Sequence, residues 1–109
     1  MPTVYKILGQ SAPSANTSTD LYTVPSSTQA VVSSIVVCNR DTAAATFRLS
    51  TAENGATLAN SQYIAYDVTV GGSDSTILTI GATLGDTDKI RCYASTANLT
   101  FTAYGSEIS

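Results

Sequence analysis

A two-residue alternation constrains this chain more than any other feature. In Asp88-Lys89-Ile90-Arg91-Cys92-Tyr93-Ala94, the residues Ile90, Cys92 and Ala94 fall on one side and Lys89, Arg91 and Tyr93 on the other. Successive side chains of a strand point to opposite faces, so such a segment buries one face and wets the other. The pattern returns in Asn98-Leu99-Thr100-Phe101-Thr102-Ala103-Tyr104, with Leu99, Phe101 and Ala103 inward. It returns again over 45–50, with Phe47 and Leu49 inward and Arg48 outward. Ser95-Thr96-Ala97 reads as a hairpin loop, which predicts that the strands on either side of it pair antiparallel.

Five more segments complete the set: 3–9, 20–24, 30–39, 62–68 and 75–80. Glu53-Asn54-Gly55, Gly71-Gly72-Ser73-Asp74 and Gly85-Asp86-Thr87-Asp88 separate them, because Gly, Asn and Asp accept the backbone angles of tight turns. Pro25 closes the second strand, where it removes no ladder hydrogen bond. The run Val31-Val32-Ser33-Ser34-Ile35-Val36-Val37-Cys38 is apolar on both faces, the mark of a strand that is central or covered by a second chain. Only 52–60 offers room for a single helical turn. Eight short strands with turns about every ten residues predict an all-β fold, a single antiparallel β-sandwich of jelly-roll or immunoglobulin-like topology. At 109 residues this is one domain, 1–109, with no internal repeat. The uncharged, Pro-containing stretch 10–19 is expected to be a long loop or an interaction arm lying on a neighbour.

The chemistry is sparse. With no histidine, Ser-His-Asp and Cys-His arrangements and imidazole metal centres are excluded, so no enzyme, cofactor or metal is expected. Asp86 and Asp88 could offer oxygens to Ca²⁺, but a turn whose Asp side chains bond its own backbone is the simpler reading. The glycines fit no phosphate cradle. Asn16-Thr17-Ser18 and Asn98-Leu99-Thr100 match the glycosylation sequon, as chance allows in a chain this rich in Ser and Thr. Cys38 and Cys92 are expected as free, small, buried hydrophobes, a disulfide remaining open if their strands pair.

Charged residues make up 12% of the chain, about half the usual 25% or so. The outside is left to Ser, Thr, Ala and Asn, which suits either an assembled protein or a secreted-type β domain. The net charge is −3, and the cations Lys6, Arg40, Arg48, Lys89 and Arg91 are scattered. Nucleic acid needs a concentrated positive footprint, so none is expected as a partner. The longest apolar stretch is too short to span a bilayer, and no membrane is expected. The opening Met1-Pro2-Thr3-Val4-Tyr5-Lys6 has no basic region leading into an apolar core, so folding in a cytoplasm is expected.

That leaves the tyrosines. Tyr93 and Tyr104 each fall on the polar face of their strands. Side by side they would form an amphipathic patch for a protein partner or a stacked sugar, or an ordinary cross-strand pair. The candidate interface residues are Tyr93, Tyr104 and Tyr66, with Gln10, Pro13 and Asn16 from the 10–19 segment.

Several stretches together resemble small virion structural proteins of tailed bacteriophages, of the capsid cement or decoration type. They are Tyr5-Lys6-Ile7-Leu8-Gly9-Gln10, Leu21-Tyr22-Thr23-Val24-Pro25 and Val36-Val37-Cys38-Asn39-Arg40. Tyr63-Ile64-Ala65-Tyr66-Asp67, the Asp88–Ala94 segment and the closing Gly105-Ser106-Glu107-Ile108 belong with them. The resemblance implies a non-enzymatic β-sandwich that binds the outside of the major capsid protein shell, stabilises it, and resides in the virion after assembly in the host cytoplasm. It also implies a homo-oligomer, a trimer by preference, since such proteins often sit on local three-fold axes. A tail, neck or baseplate component of this size would look the same. A carbohydrate-binding tip module would use Tyr93 and Tyr104 as stacking platforms. The resemblance carries no motif that marks a functional residue.

Overall fold

The computed structural model describes residues 2–109. Eight strands follow in order: β1 (Thr3–Ser11), β2 (Thr19–Thr23), β3 (Gln29–Asn39), β4 (Ala45–Ala52), β5 (Tyr63–Val70), β6 (Ser75–Leu84), β7 (Lys89–Ala94) and β8 (Leu99–Ile108). They form two four-stranded sheets, β1-β8-β3-β6 in front and β2-β7-β4-β5 behind. Every pairing is antiparallel. This strand order is that of a jelly roll, which decides between the two topologies the spacing allowed.

The alternation holds wherever it was read. Ile90, Cys92 and Ala94 on β7, Leu99, Phe101 and Ala103 on β8, and Phe47 and Leu49 on β4 are all buried between the sheets. Phe47 comes from the back sheet and Phe101 from the front. Their rings meet edge to face, centroids 6.0 Å apart and planes at 74°, a favoured aromatic geometry. Asn39 is the largest polar side chain in this interior and is fully bonded. Its Nδ2 donates to the carbonyls of Ala43 and Val70, and its Oδ1 accepts from the Asp41 N–H.

The pairing of β7 with β8 is not observed. Ser95, Thr96 and Ala97 carry the chain from the back sheet to the front one, so the expected hairpin is a crossover. β8 lies between β1 and β3, and β7 between β2 and β4. The crossover is pinned at both ends: Ser95 N–H donates to the Thr46 carbonyl at 2.9 Å, and Arg40 N–H to the Asn98 carbonyl at 2.9 Å. Alternation says which face of a strand is buried. It does not say which strand fills its two edges, since every edge offers the same N–H and C=O groups.

Several bounds differ from expectation, among them the end of β8, which runs to Ile108 where the alternation reads only to Tyr104. β1 continues through Ser11, so the loop is only 12–18. It lies on its own domain, with Pro13 buried and Asn16 N–H donating to the Ala94 carbonyl at 2.8 Å. β6 continues past 80 because Gly81, at φ +57°, makes a bulge and not a break. The helical stretch consists of two 3₁₀ turns, Glu53–Gly55 and Asn60–Gln62. On β3, an irregularity at Ser33 lets Val32 and Ile35, three residues apart, both face the core.

The cysteines are free and cannot meet. Cys38 is half-buried on the outer side of the front sheet, while Cys92 is buried on the inner side of the back sheet. Burial pushes the Cys92 thiol up to about 11. No helix among the described residues is long and apolar enough to cross a membrane.

Candidate interaction surfaces

The outer face of the back sheet is built around Arg48. On β4 it stands directly opposite Tyr93 of β7. On its other side, Phe47 pairs with Val68 and Leu49 with Ala65, so Tyr66 and Asp67 of β5 together oppose Arg48 alone. That extra residue is a β-bulge, a device that re-aims side chains. Asp67 sits at φ +52°, a left-handed conformation that Asp accepts more readily than most residues. There its carboxylate meets Arg48 as a fork, Nε to Oδ1 at 2.7 Å and Nη2 to Oδ2 at 3.3 Å.

The guanidinium held this way lies between two rings, 4.2 Å from the Tyr66 centroid and 4.5 Å from that of Tyr93. A planar cation stacks well on aromatic faces. The Asp67 hydrogen bond pushes Arg48 further above its ordinary range, keeping it charged. Tyr63 supports Tyr66 edge-on at 4.9 Å. The Tyr93 hydroxyl donates to Asn16 Oδ1 at 2.9 Å, which ties the 12–18 loop to the cluster. Beside it lies a charged rim in which Asp20 receives Lys89 at 2.7 Å and Arg91 at 3.4 Å. The Lys89 hydrogen bond holds the Asp20 carboxyl below the usual carboxylate range, against its partial burial.

The outer face of the front sheet is chemically different. Tyr5, Ser106 and Val31 form one cross-strand row; Ile7, Tyr104 and Ser34 form the next; then come Gln10, Thr102, Val36 and Ile77. No charged side chain of the described residues stands in these rows. Tyr5 is 83% exposed and Tyr104 41%. Beside Tyr5 opens a groove of about 650 Å³, bordered by Ile7, Val31, Ser33 and Tyr104 and floored by Gly105 and Ser106. Gly105 is required there, since a Cβ would fall 2.0 Å from the Val31 carbonyl oxygen. Lys6 also borders the groove, but its ammonium is 2.9 Å from Glu107. Glu107 in turn accepts the Tyr22 hydroxyl at 2.5 Å.

The six residues singled out from sequence therefore divide. Tyr93, Tyr66 and Asn16 come together on the back face. Tyr104 and Gln10 lie on the front face, and Pro13 is buried. Tyr93 and Tyr104 form no common patch, because the strands carrying them belong to opposite sheets. Paired sugar platforms are thereby excluded; one face of the Tyr93 ring is also taken by Arg48. Arg48, Asp67 and Tyr5 were missed. The alternation turns Arg48 outward, and Tyr5 with Ile7 has the two-residue spacing of one face, so only Asp67 has no local signal.

The carboxylates of the Asp86–Asp88 turn bond backbone N–H groups of the turn and of two neighbouring loops, Asp86 accepting from Ser27 at 3.4 Å. Asp88 accepts the N–H groups of Gly85 at 2.8 Å and Asn54 at 2.9 Å. No group of three or more His, Cys, Asp or Glu positioned to hold a metal ion occurs among the described residues. Fold and surfaces together define a jelly-roll domain with one charged, Tyr/Arg-stacked face and one uncharged face. No protein-family model matches the chain, and no curated protein matches it.

Proposed function

We propose that this chain is a non-enzymatic virion structural protein of the capsid cement or decoration type, which binds the outside of a major capsid shell and works as a homo-oligomer. The observation that carries this reading is the Tyr66–Arg48–Tyr93 stack. Tyr and Arg dominate the energetic centres of protein interfaces. Here they are held on rigid strands by Asp67, Tyr63 and Asn16, so docking orders little that is not already ordered. The Asp20/Lys89/Arg91 rim beside the stack suits orientation of a partner. The jelly roll, which recurs in viral coat domains, and the low charge of the chain agree with it.

The mechanism is mass action. A protein that binds only the assembled shell stabilises that shell, and many identical contacts on one particle add through avidity. The reading is tested by mixing the purified protein with expanded capsids that lack it and imaging them by electron cryo-microscopy. Regular density is expected on the outer shell, with occupancy lost for Tyr66→Ala, a variant that stays folded although its melting temperature falls by a few degrees with the loss of the Arg48 and Tyr63 contacts. Bare capsids in the presence of folded protein would overturn the cement reading in favour of a tail, neck or baseplate component.

A further inference from the structure

We infer that the outer face of the front sheet is where a second copy of this chain docks, face to face about a two-fold axis. The inference deepens the homo-oligomer part of the proposed function and differs from the three-fold grouping that the resemblance implies.

Charge is the first argument. A buried charge left unpaired is costly, so an interface is least restricted where neither side carries one. The cross-strand rows of this face are made of Tyr, Ile, Val, Ser, Thr and Gln. A second copy presents the same uncharged rows, and the one charged side chain bordering the groove, Lys6, is already paired with Glu107. The opposite face carries Arg48, Asp67, Asp20, Lys89 and Arg91, and rejects partners that do not complement them.

Shape is the second. A two-fold interface uses the same patch on both subunits, so that patch must carry both a projection and a recess. Here both are adjacent. Tyr5, 83% exposed, projects from β1 beside the groove of about 650 Å³ floored by Gly105 and Ser106. Rotation about an axis next to the groove places each Tyr5 ring in the recess of the other copy. Size is the third: the molecule extends 45 × 27 × 19 Å, so even the narrower of its two long outlines is comparable with the ~800 Å² per partner of a standard interface.

The test is sedimentation equilibrium of the purified protein over a concentration series. The expected species is a dimer, twice the chain mass of 11.3 kDa. Tyr5→Asp, at an exposed position that folding does not use, is expected to weaken association at least about 30-fold, the threshold of an interface hot spot. Tyr104→Asp across the groove is expected to do the same. Thr69→Asp, exposed on the back sheet, is the control and should leave the dimer intact. A monomer at every concentration, a trimer, or a dimer that Thr69→Asp disrupts as strongly as Tyr5→Asp would each overturn the inference. No capsid enters this measurement, so self-association and capsid binding succeed or fail separately.

Discussion

Phe47→Ala tests the centre of the sandwich most directly. Phe47 and Phe101 are the two phenylalanines of the chain, one from each sheet, and both are fully buried. Truncating a buried ring removes its transfer free energy and leaves a cavity, for a cost of about 3–5 kcal/mol. Of that, about 0.5–1.5 kcal/mol belongs to the edge-to-face pair itself. A domain of this size has a total stability of about 5–15 kcal/mol, so roughly a fifth or more is at stake. The melting temperature should fall by about 12–25 °C. Urea denaturation followed by circular dichroism measures the loss, with the slope on denaturant unchanged if the native fold survives. Phe101→Ala and the double variant complete a cycle that isolates the coupling between the rings. A loss below about 1 kcal/mol for Phe47→Ala, or a cycle with no coupling, would refute the account of how the sheets are joined.

Other expectations follow from single positions. Gly105→Ala forces a Cβ against the Val31 carbonyl, so it should cost about 1–3 kcal/mol although it adds only a methyl group; urea denaturation reads it, and a neutral result would mean that β3 and β8 yield at that point. Stability should also fall at both ends of the pH range. The Tyr22 hydroxyl and Lys6 hold the Glu107 carboxyl below its ordinary value. That contribution is fully present above the unfolded value of about 4.3 and is lost as pH drops through the lower folded one. On the alkaline side, the buried Cys92 thiol favours folding below its unfolded value of about 8.5, and this is lost as pH rises toward about 11. Tyr22, raised by burial and then by Glu107, acts in the same sense above about 10. Glu107→Gln should flatten the acid arm and Cys92→Ala the early part of the alkaline arm in urea midpoints measured against pH.

The back-face site was half legible in the chain. Tyr93 and Arg48 could be placed outward from their neighbours alone, because burial of one strand face writes a period of two into a short window. That Tyr66 would share a guanidinium with Tyr93 could not be read. It depends on a bulge in β5 and on a left-handed Asp67, and no turn signal announces either. Asn16 lies in the segment expected to be a long loop or an arm lying on a neighbour, and it is held against Tyr93 of its own chain.

The same division runs through the fold. Eight extended segments, their buried faces and the glycine and aspartate turns between them follow from residues within a few positions of one another. Short-range patterning records them because each side chain either meets water or does not. The partner of each strand is a different kind of fact. β7 and β8 are separated by only a few residues, yet they lie in opposite sheets, and β1 pairs with the far end of the chain. Backbone edges carry no label, so only the packing of all eight strands around one core decides which edges meet. That packing sends Tyr93 and Tyr104 to opposite faces and gives the domain one charged surface and one uncharged one.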